Sequence, residues 1–524
     1  MSTLTGGSYP PHLDDAPEKD RLALAIKDWS IANGFAVRPP PAIASNDAGI
    51  LAMTAPVTLF PSPFPKSCFA EAKAIQTKYN ELYARISQDE EYLGGLVKQV
   101  AGGDDFIANL WNIHLRVKEE GYVQNLALGL FRSDYMVHQD GDTLQIKQVE
   151  FNTIASSFGG LSEKTSLLHK HLAKVEYPLL KEPISRSSLG DLPDNKSAER
   201  LAGGLAAAFR AYGKSTLGHP TCVLFIVQDG ERNIFDQRHL EYALQSSDTD
   251  PIAVFRLPFS QVLNHTSIAP SSPGRQLLYH PPHNPSLTFE VAVAYLRSAY
   301  DPSDFPTASS WEARYQLERS AAIVCPTILT HLAGMKKVQQ ELATPAAHAQ
   351  DQEPGEQATT APSALRRFIH DEASYTALHR TFTNIYPLDA ITPAGREARR
   401  LATDPDACQR YVMKPQREGG GNNFYRSAIP QRLREIPEEH WGSYILMEII
   451  TPPPVANTIL RNGALEQGGV ICELGVYGTC LWDQKTGEVV HNEESGYLLR
   501  TKGDQSEEGG VAAGFGSMDS CRLV

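Results

Sequence analysis

The chain has 524 residues, 41% of them hydrophobic and 36 of them prolines spread along its length, which describes a globular protein of two to three domains with material for a sizeable core. Its formal charge of −13, from 48 Lys and Arg against 61 Asp and Glu, excludes a nucleic-acid surface, so cations for any anionic ligand must be gathered locally. Seven cysteines without a CxxC pair or zinc-type spacing suit reduced thiols, residues 1–15 carry no leader pattern, and no apolar run reaches bilayer length, so a soluble, cytoplasmic protein is expected.

In chain order, residues 1–20 are expected to form a flexible tail, rich in Ser, Thr, Gly and Pro to about residue 17. Apolar residues at mixed three and four spacing predict helices over 23–32 and 67–100. Alternation predicts a strand over 144–151 that ends at Glu150 and Asn152. A buried-strand run over 221–228, a polar turn, a helical run over 236–245 and strands over 252–257 and 288–295 predict a separate β-α-β-type domain within 218–330. Between 343 and 365 the composition turns to Ala, Thr, Pro, Gln and Glu, as in a mobile surface insertion. Strands return over 410–413, 444–450 and 470–477, and the fold class is α/β with more than one domain.

Chemistry concentrates in the string from Lys414 through Glu418, Gly419, Gly420, Gly421, Asn422 and Asn423 to Tyr425, where a cation, a carboxylate and three glycines follow an apolar strand. Glycine backbone can close around phosphate oxygens, Lys414 adds a point charge, and Glu418 offers the hard oxygen that Mg2+ prefers. The string fits neither the P-loop nor the dinucleotide pattern. Glu150 and Asn152, two apart on a strand, leave one face and can converge on one cation, Mg2+ being the natural candidate with Glu418 as third ligand; the plain alternative is a strand-end turn. Lys336 opens a predicted helix, where N–H groups also attract anions. Arg132, Arg297 and Arg500, from three separate segments, suit forked contacts with carboxylate or acyl phosphate.

The 414–425 string resembles the glycine-rich lid of eukaryotic glutathione synthetases, circularly permuted members of the ATP-grasp superfamily, and segments at 128–136, 147–162, 231–238, 311–320, 332–342, 443–450 and 498–516 resemble the same family in the same order. That resemblance implies a circularly permuted ATP-grasp fold: an N-terminal part over 21–217, an inserted Rossmann-like substrate domain over 218–330, and a C-terminal part over 331–524 with a lid at 414–425 and an alanine-rich loop at 509–514. It implies ATP-dependent joining of γ-glutamylcysteine to glycine through an acyl phosphate, with Mg2+ held by Glu150, Asn152 and Glu418. For ATP it implies Lys336, Lys414, the glycine loop, backbone of Met447, Glu448, Ile449 and Ile450, then Glu473, Lys502 and Glu508. For the acid substrate and acceptor it implies Arg132 and Arg500 at the reacting carboxyl; Ser157; Glu231, Asn233 and Gln237; Arg297, Ser298, Ala299 and Tyr300; and Val511 and Ala512. A homodimer is implied, with no nucleic-acid or membrane partner. Two other readings stand beside it: a ligase that accepts β-alanine or serine, and a nucleotide-binding protein without activity.

Overall fold

The computed structural model describes residues 9–40, 51–185, 189–246, 251–270, 274–345, 364–418, 421–506, 511 and 516–524. Three long strands, Leu126–Asp140, Ala464–Asp483 and Val489–Gly503, form the middle of a seven-stranded sheet. Thr143–Asn152 flanks Leu126–Asp140, while Ser517–Asp519, Val57–Thr58 and Val455–Arg461 continue the sheet beyond Val489–Gly503. Val455–Arg461 also pairs back on Ala464–Asp483 through the Asn462-Gly463 turn. Both turn residues have positive φ, 49° and 82°, which is the twist a two-residue hairpin requires.

Nine consecutive residues of Leu126–Asp140, from Ala127 to Tyr135, are buried, because both faces of the sheet are covered. Phe131 and Tyr135 pack in the cluster of Tyr79 and Tyr83 from helix Lys66–Gln88, whereas Leu128 and Leu130 pack with Leu201 and Leu205 from helix Ser197–Tyr212. Burying each such side chain is worth about 2 kcal/mol, so the long strands are fixed in register before any ligand is considered. A strand buried on both faces shows no alternation, and neither this strand nor Val489–Gly503 was expected from periodicity.

A six-stranded sheet holds the segment expected as β-α-β. Val254–Pro258, Thr221–Val227 and Phe289–Arg297 run parallel, with Ile323–Cys325 parallel to the end of the last and the short strands Leu277–Tyr279 and Thr266–Ile268 antiparallel beyond it. Helix Ile234–Gln245 connects the first parallel pair. A four-stranded antiparallel sheet, in the order Ile385–Pro387, Tyr444–Glu448, Tyr411–Pro415, Phe424–Tyr425, carries the lysine and glycine string. The architecture is mixed α/β, as expected.

Some expectations need adjustment. The helix expected over 67–100 is two, Lys66–Gln88 and Glu90–Val100, divided at Asp89, whose carboxylate accepts the Tyr92 N–H at 3.0 Å and so caps the second. The strand expected over 470–477 is the buried centre of a 20-residue strand. From residue 9 the expected tail is packed: Tyr9 donates its hydroxyl to the Pro61 carbonyl at 2.7 Å, Leu13 is buried, and the first helix starts at Ala16. Of the expected insertion, 346–363 lies outside the described residues. All seven cysteines are buried and unbridged, and among the described residues no helix is long and apolar enough to cross a membrane.

Candidate active site

Strand register gathers the charged residues. Arg132 lies opposite Asn152 and Asp134 opposite Glu150; Gly475 lies on the other side of Asp134; and Glu473 lies opposite Arg500. Residues two apart leave the same face of a strand, so four strands present these groups together. Arg132 donates Nε to Asp134 Oδ1 at 2.6 Å and Nη2 to Oδ2 at 2.8 Å, a forked pair. Asp134 Oδ2 also accepts from Arg500 Nη2 at 2.8 Å and from Asn152 Nδ2 at 3.0 Å. Arg500 in addition bonds Glu473.

The two lysines arrive from elsewhere. Lys336, first residue of helix Lys336–Ala343, donates to Glu150 Oε2 at 3.0 Å and lies 3.6 Å from Glu418 Oε2, so its ammonium bridges two carboxylates. Lys414, at the end of Tyr411–Pro415, donates to the Val149 carbonyl at 3.1 Å. Burial would raise the Glu150 carboxyl, but Lys336, Lys414 and Arg500 hold it well below the usual carboxylate range. Burial pushes Glu418 up to about 7, against the pull of Lys336 and with the Glu150 charge adding to the rise. Glu418 Oε2 is buried and has no hydrogen-bond partner.

A cavity of about 510 Å³ opens between this face and the four-stranded sheet. Arg132, Glu150, Asn152, Glu473, Arg500 and Lys502 line it from the seven-stranded side. Lys414, Asn423 and Tyr425, then Met447, Glu448, Ile449 and Ile450, line it from the other. Most of the residues assigned to the nucleotide from sequence therefore share one wall-to-wall space. The Glu448 and Ile449 amides donate to the Asn384 and Arg410 carbonyls at 3.0 and 2.9 Å, so those two of the expected backbone contacts are engaged within the protein.

The glycine string joins Tyr411–Pro415 to Phe424–Tyr425 as a hairpin connection. Its first residues are pinned: Gln416 accepts the Lys337 N–H at 2.9 Å and donates to the Ser443 carbonyl at 3.0 Å, while Arg417 pairs with buried Asp104. Gly421 has φ of 92°, a conformation that side chains disfavour, and Asn422 follows it. Gly419 and Gly420 lie outside the described residues, as do Glu508, Ala512 and all of the 509–514 loop except Val511, which is buried.

The remaining residues expected at the acid substrate form a second cluster behind the 155–158 turn. Ala155 and Phe158 have positive φ, 50° and 71°, and the carbonyls between them point at cations: Ser157 O accepts from Arg132 Nη1 at 3.3 Å and Tyr477 at 2.6 Å, and Ser156 O accepts from Arg297 Nη1 at 2.6 Å. Arg297 Nη2 donates to Ser157 Oγ at 2.8 Å. The turn thus links Arg132 to Arg297. Beyond it, Glu231 accepts from the Asn233 amide at 2.7 Å and from Gln237 at 2.6 Å. Ser298 donates to the Ile226 carbonyl, Ala299 is buried with φ of 64°, and the Tyr300 amide donates to Asp304 at 3.2 Å. Ser298 Oγ and the Ala155–Phe158 backbone are accordingly engaged within the protein.

Two carboxylates at the heart of these clusters were not singled out from sequence. Asp134 stands two residues after Arg132, the same spacing as Glu150 and Asn152, so the signal was there. Asp236 accepts the N–H groups of Phe158, Gly160 and Leu161 at 2.8, 2.8 and 3.1 Å, capping helix Gly159–Val175 from more than 70 residues away, and nothing local marks it. Among the described residues no group of three His, Cys, Asp or Glu side chains is placed to hold a metal; the Glu150, Asn152, Glu418 set has two carboxylates and an amide.

With fold and site in view, the comparisons agree. Residues 16–523 match the family described as eukaryotic glutathione synthase, ATP binding domain. The chain belongs to that family. It is 37% identical to the glutathione synthetase large chain of Schizosaccharomyces pombe, with 97% of this chain and 98% of that one covered, and 37% identical to the glutathione synthetases of Xenopus laevis and Homo sapiens, at 98% and 97% of this chain and 98% of each relative. A glutathione synthetase-like effector from Globodera pallida, solved in its apo form, shares the fold with a TM-score of 0.71 at 22% identity, covering 98% of both chains.

Proposed function

We propose that this chain ligates γ-glutamylcysteine to glycine, consuming ATP and releasing glutathione, ADP and phosphate. Beyond family membership, the observation that carries the reading is the single cavity in which a nucleotide-sized wall, from Lys414 to Ile450, faces the guanidinium groups of Arg132 and Arg500. A carboxylate is a poor acyl donor. Transfer of the γ-phosphoryl group to the cysteinyl carboxylate makes it one, and the glycine amine then attacks the acyl phosphate and expels phosphate. Lys336 and Lys414 neutralise and align the triphosphate, Arg132 and Arg500 hold the reacting carboxyl, and Arg132 meets the negative charge that develops on the tetrahedral adduct. Glu231, Asn233, Gln237, Arg297, Ser157 and the 298–300 backbone hold the peptide end of the acid.

The residues fit Mg2+. Glu418 Oε2 is a buried oxygen in need of a partner, and Asn152 donates its amide nitrogen to Asp134 and the Arg132 carbonyl, which turns its oxygen toward a cation. Bound there with Glu150, Asn152 and Glu418, the ion would supply charge neutralisation for the phosphates. The same proposal takes the fold as a circularly permuted ATP-grasp with 218–330 as substrate domain, 414–425 as lid and 509–514 as a small-residue loop over the acceptor, in a cytoplasmic homodimer. Acyl phosphates hydrolyse when wet, so the lid's second task is to exclude water.

The acceptor is settled by offering the purified protein ATP, Mg2+, γ-glutamylcysteine and an equimolar mixture of glycine, β-alanine and serine, with products resolved by mass. Glycine is expected to lead by roughly 10- to 200-fold, the range one methylene is worth. Equal or greater use of β-alanine or serine would transfer the assignment to that amine.

A further inference from the structure

Asp134 is fully buried and does not line the cavity, yet three residues that do line it all donate to its carboxylate. Oδ1 takes Arg132 Nε; Oδ2 takes Arg132 Nη2, Arg500 Nη2 and Asn152 Nδ2. An ionised carboxylate accepts only, so each of these bonds fixes which atom of the partner turns the other way: Arg132 keeps Nη1 for the Ser157 carbonyl, and Asn152 keeps its oxygen. The neighbouring strand makes room for the arrangement. At Gly475, opposite Asp134, an added Cβ would come within 2.7 Å of both Asp134 Oδ1 and Arg132 Cδ. No φ constraint accounts for this glycine, whereas the close approach of the forked pair does.

We propose that Asp134 is a positioning residue for the ligase reaction, one carboxylate that sets the orientation of both guanidinium groups at the reacting carboxyl and of the Asn152 amide. It touches neither substrate nor nucleotide and acts through these three side chains. The inference rests on the functional reading above, since it assigns Arg132 and Arg500 to the acid substrate. Pre-organised donors cost no reorganisation as charge develops, so loosening them lowers turnover more than it weakens binding of ATP, whose own contacts lie elsewhere in the cavity.

The test is a double-variant cycle on the full-length protein with steady-state glutathione formation as readout. Asp134→Asn keeps the shape and removes the charge. It is expected to lower kcat by on the order of 10²-fold while KM for ATP moves less than about threefold. In an Arg132→Ala background the same substitution should cost clearly less than it does alone, because one of the groups it positions is already gone. Gly475→Ala, which retains every charge but crowds the pair, should lower kcat by about tenfold or more when assayed well below its melting transition, and it decides the matter if Asp134→Asn does not fold. Parental kcat in Asp134→Asn, losses that multiply in the double variant, or a fully active Gly475→Ala would overturn the inference while the functional reading stands. A parent protein that forms no glutathione would overturn both.

Discussion

Glu418 is a carboxylate that the ligand-free molecule holds at a cost: burial pushes it up to about 7, and its Oε2 has no hydrogen-bond partner. Glu418→Gln removes the buried charge without changing the shape, so the melting temperature is expected to hold or rise, while kcat falls by about 10²-fold for want of an anionic ligand near the phosphates. Calorimetry paired with turnover checks it; a destabilised variant with normal turnover would remove Glu418 from the site. Glu150→Gln should lose activity comparably but differ in stability, because Glu150 is the partner of Lys336 and sits among Lys414 and Arg500, so its removal leaves buried cations uncompensated. At this scale the sequence was informative where a spacing rule applied. Glu150 and Asn152 converge as a strand pair two apart must. Asp134, at the same spacing from Arg132, is not marked by that rule, because a carboxylate beside an arginine on one strand reads as an ordinary ion pair until the partner strands are in place.

Elements carry the next set of consequences. The hairpin that holds the glycine string is anchored at its entry by Gln416 to Lys337 and Ser443, and by Arg417 to Asp104. Gln416→Ala is expected to raise amide hydrogen exchange across 416–423 in the free protein and to raise KM for ATP severalfold, with ATP analogue and Mg2+ restoring part of the protection. Unchanged exchange would mean that the entry is held by Arg417 alone. The helix Gly159–Val175 depends on a side chain from outside itself. Asp236→Ala leaves three buried N–H groups without their charged acceptor and should cost about 3 kcal/mol or more, readable in urea unfolding, and should disturb the Ser157 turn with it. Alternation could not find strands whose two faces are both buried: Thr221–Val227 is legible as a continuous apolar run, but a buried strand that carries charged residues is not. Leu126–Asp140 runs nine buried residues, Arg132, Ser133 and Asp134 among them, with no alternation of buried and exposed positions, and only its likeness to a known family drew attention to it.

The whole molecule closes by bringing its ends together: Val57–Thr58 pairs with Ser517–Asp519, and two buried ionisable groups hold the junction. Asp519 accepts from Ser62 Oγ at 2.6 Å and Thr501 Oγ1 at 2.7 Å, and burial pushes it up to about 6. His169 Nε2 donates to the Thr58 carbonyl at 2.9 Å while Nδ1 lies 2.7 Å from the Ser520 hydroxyl, and burial lowers it to about 4. His331, buried too, is lowered to about 3. A histidine whose folded value lies below the unfolded value of about 6.5 lends stability that is complete above that pH and is lost as pH falls toward the folded value. Asp519 acts oppositely, its contribution declining as pH rises from about 4 to about 6. Glu418 acts in the same sense as Asp519, so the histidine contribution is read by difference: His169→Gln, which keeps a donor and an acceptor but cannot titrate, should gain in melting temperature relative to the parent as pH falls from about 6.5 to about 4; a difference that does not change with pH would separate His169 from the acid transition. Contacts between residues more than 400 apart have no local signature, which is why this junction was not foreseen. The activity claimed for the molecule as a whole is activation of a carboxylate by phosphoryl transfer, and oxygen-18 tests it directly. γ-Glutamylcysteine labelled at the cysteinyl carboxylate, incubated with ATP, Mg2+, glycine and the protein, should yield ADP, glutathione and inorganic phosphate carrying one labelled oxygen; AMP as the nucleotide product, or phosphate without label, would contradict the acyl phosphate route.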